Sequence, residues 1–283
     1  MSKEHKAVCV IAWPAGHSRS PLIHNYWIKQ HKLNAEYRRE AVPPEKFVDF
    51  IGSWSERGYV GANVTLPHKE AAFALCHHIS ERARRAGAVN TLTRHADGWG
   101  GDNTDGVGLV CDLTERHALD LRSRRTLLLG AGGAAHGVAP ALLDAGIGDL
   151  FIINRSPEKA DALADKLGMP GRVHTRYWND LRNLGSFDFI VNATSAGRDS
   201  LQMDLPFAIA TRRSLAVDLS YGEAATAFLS WARAAGCGQA IDGLGMLVEQ
   251  AAESFALWHG RRPETDAIYA ELNGRSVALH TAD

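Results

Sequence analysis

The chain has 283 residues, enough for two domains of ordinary size, and 45% of them are hydrophobic, which argues against disorder. Its net charge of −1 argues against a nucleic-acid or polyanion partner. The four cysteines are scattered without a C-x-x-C pair, which speaks against a zinc site or a disulfide framework and fits a reducing cytoplasm. The polar start Met1 to Lys6, with only a short apolar run after it, reads as leading into a strand and not as a signal peptide, and no apolar run approaches the ~20 residues of a membrane span.

Ala7 to Ile11 reads as a buried strand, followed by a loop dense in turn formers from Trp13 to Ser20. Ser20-Pro21 predicts an N-cap with proline at the first helical position, and a helix to about Lys32. Ala35 to Val42 is a second strand, and Pro44 opens a helix that ends before Gly58. Ala62 to Thr65 is a third strand, cut off by Pro67. His68 to Cys76 and Ser80 to Ala86 are helical, and Asp97-Gly98 is the turn pair of a hairpin. A helix starts near Gly106 and runs to about His117.

The second half is organised around Thr126 to Ala135, where four apolar or β-branched residues lead into a glycine-rich turn and then a helix. Gly130, Gly132 and Ala135 occupy the positions of a G-x-G-x-x-G/A fingerprint. Gly130 permits the tight turn, Gly132 lets a pyrophosphate approach the backbone, and Ala135 keeps helix and strand close. The free N–H groups at the helix start, over Ala131, Gly133 and Ala134, suit phosphate. A second strand, Leu150 to Ile153, ends in Asn154-Arg155-Ser156, with Lys159 one turn on. An NAD enzyme tends to carry Asp or Glu there, whereas Arg155 suits a ribose 2′-phosphate, so NADP is the expected cofactor. Further strands fall at Val173–Thr175, Phe187–Asn192, Leu215–Leu219 and Gln239–Ile241. Met246 to Trp258 and Thr265 to Leu272 are closing helices.

Three polar clusters stand at predicted strand ends: Gly61 to Lys69, Gly87 to Leu92 and Asp102 to Gly106. In open α/β sheets the carboxyl ends of strands form the ligand crevice, and amides and hydroxyls there suit a polyhydroxylated small molecule. Lys69 and Asp105 supply charge for proton transfer. The competing reading makes Asn63 and Asn90 turn formers and Asp105 a helix cap.

Taken together, Pro14-x-x-His17-Ser18-x-Ser20-Pro21-x-x-His24-Asn25, Asn63-Val64-Thr65-Leu66-Pro67-His68-Lys69, Gly87-Ala88-Val89-Asn90-Thr91, Gly101-Asp102-Asn103-Thr104-Asp105-Gly106, Gly130-Ala131-Gly132-Gly133-Ala134, Asn192-Ala193-Thr194-Ser195-Ala196-Gly197, Asp242-Gly243-Leu244-Gly245-Met246-Leu247 and Gln250-Ala251 resemble the shikimate dehydrogenase family over almost the whole chain. The resemblance implies NADP-linked interconversion of 3-dehydroshikimate and shikimate in chorismate and aromatic amino acid biosynthesis. It implies that Ser18 and Ser20 hold the substrate carboxylate, and that Asn63, Thr65, Asn90, Asp105 and Gln250 bind the ring hydroxyls. Lys69 with Asp105 is the implied catalytic pair, and Tyr221 reaches the substrate. Thr194, Ser195, Leu219, Gly243 and Met246 join the cofactor site. The histidines of these motifs, His17, His24 and His68, are read as positioning or packing groups, with no metal site among them. The chain departs from the family in carrying Ala12 where glycine is usual, and Gly222-Glu223-Ala224-Ala225 after Tyr221 in place of a proline-containing turn.

The expected architecture is α/β in two domains. A substrate-binding domain with a mostly parallel sheet spans 1–105 plus 244–283, and a Rossmann-type doubly wound NADP domain spans 106–243. The alternatives are a quinate/shikimate paralogue using NAD, and a non-catalytic NADP-binding regulator. A cytoplasmic location is expected, and monomer and homodimer both stay open.

Overall fold

The computed structural model describes residues 5–16, 18–197 and 204–280, giving only the backbone course for 55, 56 and 275–280; His17 of the first motif lies outside the described residues. The chain divides into two compact units, Met1–Gly108 with Leu247–Arg275, and Leu109–Met246 with Ser276–Asp283.

The first unit is built on a six-stranded sheet of β1 (Lys6–Ala12), β2 (Ala35–Ala41), β3 (Tyr59–Val64), β4 (His78–Ile79), β5 (Thr91–His95) and β6 (Gly98–Asp102), in the order β2-β1-β3-β5-β6-β4. β1 pairs parallel with β2 and β3, while β5 runs antiparallel to β3 and β6. The helices are α1 (Ser20–Gln30), α2 (Phe47–Gly52), α3 (Trp54–Arg57), α4 (Lys69–Leu75), α5 (Glu81–Ala86) and the start of α6 (Asp105–Cys111). Apolar runs with both faces covered make β1 a wholly buried strand from Ala7 to Ala12. On one face Cys9, Ile11, Ala62, Val64 and Leu92 pack with Phe47, Trp54 and Tyr59.

Three expectations need correction here. Ser20 is the first residue of α1, not its cap: Arg19 holds the N-cap position, and the Ser20 N–H donates to Ser18 Oγ at 3.3 Å. The predicted helix from Pro44 is broken into a 3₁₀ turn, α2 and α3; at the second break the Ser53 hydroxyl donates to the Phe50 carbonyl and competes with the helical backbone. The hairpin's central residues are Ala96-Asp97, with Gly98 (φ 144°) opening β6 opposite His95. The two-residue strand β4 carries no periodicity by which a sequence could reveal it.

The second unit holds a wholly parallel sheet of β7 (Thr126–Leu129), β8 (Leu150–Ile153), β9 (Val173–Arg176), β10 (Phe189–Asn192), β11 (Leu215–Asp218) and β12 (Gln239–Ile241). Its order, β12-β11-β10-β7-β8-β9, is the doubly wound arrangement whose switch point lies between β7 and β10. Side-chain alternation splits the strands between two cores. Leu128, Ile152, Val191 and Val217 face one, and Leu127, Leu129, Ile153, Ile190 and Ala216 the other. Around the sheet run α7 (Gly133–Asp144), α8 (Pro157–Leu167) and α9 (Thr226–Ala234); the chain continues through α10 (Leu244–His259) and α11 (Asp266–His280). No helix among the described residues is long and apolar enough to cross a membrane.

His24 of α1 is fully buried, and its ring stacks on Tyr37 with centroids 4.2 Å apart. Burial pushes its pKa down from 6.5 to about 3, with His259 adding to the effect. The unfolded chain therefore binds the extra proton first. This contribution to stability is complete above pH 6.5 and is lost as pH falls towards 3, about 2 kcal/mol of it between pH 7 and pH 5. Urea unfolding at those two pH values should show His24→Phe losing correspondingly less than the parent protein. An equal loss in both would assign the acid sensitivity to other groups.

Candidate active site

In the first unit the polar clusters meet. Lys69 is the first residue of α4 and Asp105 the first of α6, and they form an ion pair between Lys69 Nζ and Asp105 Oδ2. Both are buried, at 9% and 6% exposure, so the pair is screened little by water and is held by named partners. Asn90 Nδ2 donates to Asp105 Oδ1 at 2.8 Å, and the Asp105 N–H donates to Asn103 Oδ1 at 3.1 Å. Asn103 is in turn anchored by its amide on the Ala88 carbonyl, 2.9 Å.

Asn90 binds more than Asp105. Its Oδ1 accepts the Thr104 N–H at 2.9 Å and the Thr91 hydroxyl at 2.9 Å, and its Nδ2 also reaches Gln250 Oε1 at 3.4 Å. Gln250 lies on α10 and donates its own amide to the Leu247 carbonyl, 2.8 Å. A side chain on Gly108 would overlap the Gln250 backbone, with its Cβ 2.6 Å from Gln250 N, so this glycine lets α10 approach α6 closely enough to bring Gln250 in. Asn63, the last but one residue of β3, donates to Ser254 Oγ at 2.8 Å and accepts from the Tyr37 hydroxyl at 2.8 Å. Thr65 is half-buried just beyond β3, where its N–H donates to the Ile11 carbonyl and its carbonyl accepts from the His68 N–H. His68 donates from Nε2 to the Val42 carbonyl at 2.8 Å and stacks on Phe47, which makes it a fastener of the loop before Lys69. Ser18 and Ser20 stand at the start of α1, Ser20 buried and Ser18 half-buried.

The structure thus gathers Asn63, Asn90, Lys69, Asp105 and Gln250 into one hydrogen-bonded set. Two further residues bonded to it, Tyr37 and Ser254, are not among the sequence candidates. Neither lies in a motif, and each meets Asn63 from 26 and 191 residues away.

The second unit presents the glycine-rich turn. Gly130 has φ 104°, a conformation that L side chains rarely adopt, and a Cβ there would press on the Ala193 backbone at 3.0 Å. Gly132 is the N-cap of α7, and a Cβ on it would meet nothing within 4 Å. Open space above a helix N-terminus, where the first-turn N–H groups of Gly133 and Ala134 have no carbonyl within the helix to meet, fits a pyrophosphate. The Ala131 N–H donates to Asn154 Oδ1 at 3.3 Å, and Asn154 Nδ2 donates to the Ser156 carbonyl at 2.9 Å, so Asn154 ties the first turn to the second. Arg155 and Lys159 are exposed and make no side-chain hydrogen bond or ion pair among the described residues. Two unengaged cations one turn apart fit a 2′-phosphate.

At the end of β10 the Thr194 hydroxyl and N–H both donate to Asn192 Oδ1, at 2.7 and 3.1 Å, and Ser195 follows in the bend. Asn192 Nδ2 donates to Asp218 Oδ2 at 2.8 Å, and Asp218 Oδ1 accepts the Ser220 N–H at 2.8 Å. Burial pushes the Asp218 carboxyl up to about 6. Asp218 was not singled out in the sequence, where it is one carboxylate ending an apolar run. The Leu219 N–H donates to the Asn192 carbonyl and the Gly243 N–H to the Ser220 carbonyl. Together these bonds fasten the ends of β10 and β11 and the approach to α10. Met246 is 7% exposed and packs in the core with Leu109, Leu128 and Val191. Tyr221 is half-buried and precedes a 3₁₀ turn over Gly222–Ala225. That proline-free turn lies against Gly197, where a Cβ would overlap the Ala224 carbonyl. Among the described residues no group of three or more His, Cys, Asp or Glu could hold a metal ion.

Residues 10–92 match the family model of the shikimate dehydrogenase substrate binding domain, 112–221 that of shikimate / quinate 5-dehydrogenase, and 243–272 that of the shikimate 5′-dehydrogenase C-terminal domain. The chain is 57% identical over 275 residues to the shikimate dehydrogenase (NADP(+)) of Stenotrophomonas maltophilia, with 97% of this chain and 98% of the relative covered. Among solved structures, shikimate dehydrogenase from Aquifex aeolicus superposes with a TM-score of 0.84 at 30% identity, over 98% of this chain and 99% of that one. Shikimate 5-dehydrogenase from Thermus thermophilus in complex with NADP(H) and shikimate superposes with a TM-score of 0.80 at 31% identity, over 96% and 99%. This chain belongs to the shikimate dehydrogenase family.

Proposed function

We propose that the protein is an NADP-dependent shikimate dehydrogenase, reducing 3-dehydroshikimate to shikimate in the cytoplasmic chorismate pathway. The observation that carries the reading is the buried Lys69–Asp105 pair set among Asn63, Asn90 and Gln250. A regulator that only binds nucleotide has no use for a desolvated lysine braced by a carboxylate.

The first unit is the substrate unit. Ser18 and Ser20 receive the carboxylate at the start of α1, where hydroxyl and backbone donors suit an anion. Asn63, Thr65, Asn90, Asp105 and Gln250 pair with the ring hydroxyls, and Tyr221 completes the substrate contacts. The second unit is the NADP unit: Gly130, Ala131, Gly132, Gly133 and Ala134 take the pyrophosphate, Asn154, Arg155, Ser156 and Lys159 the adenosine end, and Thr194, Ser195, Leu219, Gly243 and Met246 the nicotinamide end. When bound, the reduced cofactor supplies a hydride to the carbonyl carbon. Lys69 Nζ donates the proton that the carbonyl oxygen takes up as it becomes an alcohol, and takes it back in the reverse direction. Asp105 balances and aims the ammonium.

The reading is tested by assaying purified protein with shikimate and with quinate, each with NADP and with NAD. Turnover is expected with shikimate and NADP. Preference for quinate with NAD, or no turnover in any combination, would replace the reading by one of its alternatives. Cofactor choice is expected to rest on Arg155. Arg155→Ala should weaken NADP binding about 10- to 100-fold, the range for a charge-assisted hydrogen bond, and leave NAD binding nearly unchanged when both are titrated. Equal losses for both cofactors would remove Arg155 from the 2′-phosphate.

A further inference from the structure

We propose that Tyr37 is a positioning residue of the substrate site, which holds the Asn63 carboxamide in the orientation that turns Oδ1, and not Nδ2, to a substrate hydroxyl. The inference rests on the reading above that Asn63 meets the substrate.

The orientation follows from one backbone carbonyl. The Asn90 main-chain oxygen can only accept, so the Asn63 atom that it meets at 3.3 Å is the amide nitrogen. That nitrogen has two protons and three acceptors around them: Ser254 Oγ at 2.8 Å, Thr91 Oγ1 at 3.2 Å and the Asn90 carbonyl at 3.3 Å. Its donor capacity is used within the protein. Asn63 Oδ1 points the other way and takes the Tyr37 phenol proton at 2.8 Å. A carboxamide oxygen has two lone pairs, so one remains. What Asn63 offers a ligand is thus an acceptor, which suits a ring hydroxyl and refuses a carbonyl.

Tyr37 is built to hold that position. It lies on β2 beside Val8 of β1, and its N–H and carbonyl are both bonded by the Asn25 carboxamide, at 3.0 and 2.9 Å. Its ring lies flat on His24, 2° from parallel, and is 3% exposed. Burial pushes the phenol pKa well above its ordinary value, which keeps the group a donor. Without that donor Asn63 Oδ1 loses the hydrogen bond that holds it in place. The carboxamide is then held through its nitrogen alone.

The test is Tyr37→Phe, which keeps the ring and its stacking, made in the parent protein and in Asn63→Ala. KM for shikimate and kcat are measured at saturating NADP. In the parent, Tyr37→Phe is expected to raise KM about 5- to 10-fold, the scale of one neutral hydrogen bond, with kcat changed less than about twofold. In Asn63→Ala, itself raised in KM, it should add less than about twofold, because Tyr37 acts through Asn63. An unchanged KM in the parent, or the same rise in both backgrounds, would overturn the role of Tyr37 while leaving the substrate site standing. If Asn63→Ala itself leaves KM unchanged, Asn63 does not meet the substrate and the role of Tyr37 falls with it.

Discussion

Lys69→Ala is expected to lower kcat by about 10²–10⁴, the usual span for a lost general acid–base, while KM for shikimate changes much less. Reduction of a ketone leaves a charge on oxygen that no amide or hydroxyl neutralises as well as a proton does, and Lys69 is the cation that the structure aims into the cluster of substrate-binding candidates. Its stem is buried and its first helical position on α4 fixes where it emerges. Its carbonyl also accepts the Val89 N–H at 3.0 Å, which ties the start of α4 to the segment that carries Asn90. Removing the side chain leaves those backbone bonds intact; Asp105 loses its countercharge, which lowers stability, but it keeps the Asn90 amide, so the hydroxyl-binding amides stay in place and the loss of turnover should fall on the chemical step. Turnover near the parent's at saturating shikimate and NADP would refute the assignment of Lys69 as the proton donor.

What could be read in the chain, and what could not, divides along physical lines. The second unit was legible almost strand by strand, because parallel strands with both faces covered read as short apolar runs and the glycine-rich turn carries its own spacing. That Lys69, Asn90 and Asp105 meet was legible because their three polar clusters stand at predicted strand ends, which an open α/β sheet brings together. Tyr37 and Ser254 were not: each stands in an ordinary amphipathic stretch, and its role exists only through a partner far along the chain. A serine before proline satisfies the local rule for a helix cap at Ser20, yet the hydroxyl that meets a helix-start N–H is that of Ser18, two residues earlier. Local rules place a polar residue at a helix start but do not say which side chain takes which proton.

Asp105→Asn is expected to lower kcat/KM for shikimate about 10²–10³-fold and to destabilise the protein, although it changes neither the size nor the shape of the side chain. The reason is the number of donors that the carboxylate serves. Oδ2 takes the Lys69 ammonium and Oδ1 takes the Asn90 amide, both buried. A carboxamide has one oxygen. If it turns that oxygen to Lys69, its NH₂ faces the Asn90 NH₂; if it turns it to Asn90, its NH₂ faces a buried ammonium that has lost its countercharge. The Asn90 amide cannot reverse to relieve the first clash, because its oxygen is held by the Thr104 N–H at 2.9 Å. Breaking a buried pair by removing one charge costs about 3–5 kcal/mol, shared here between folding and binding. Both kcat and KM should therefore move, which separates this variant from Lys69→Ala, where kcat carries the loss. The effects of the two substitutions should also fall short of adding in the double variant, since each abolishes the same pair. Measured kcat, KM and urea midpoints for the two single variants and the double decide it: full additivity, or an Asp105→Asn protein within about threefold of the parent in kcat/KM, a change too small for a broken buried pair, would show that the carboxylate charge is not what holds Lys69 in place.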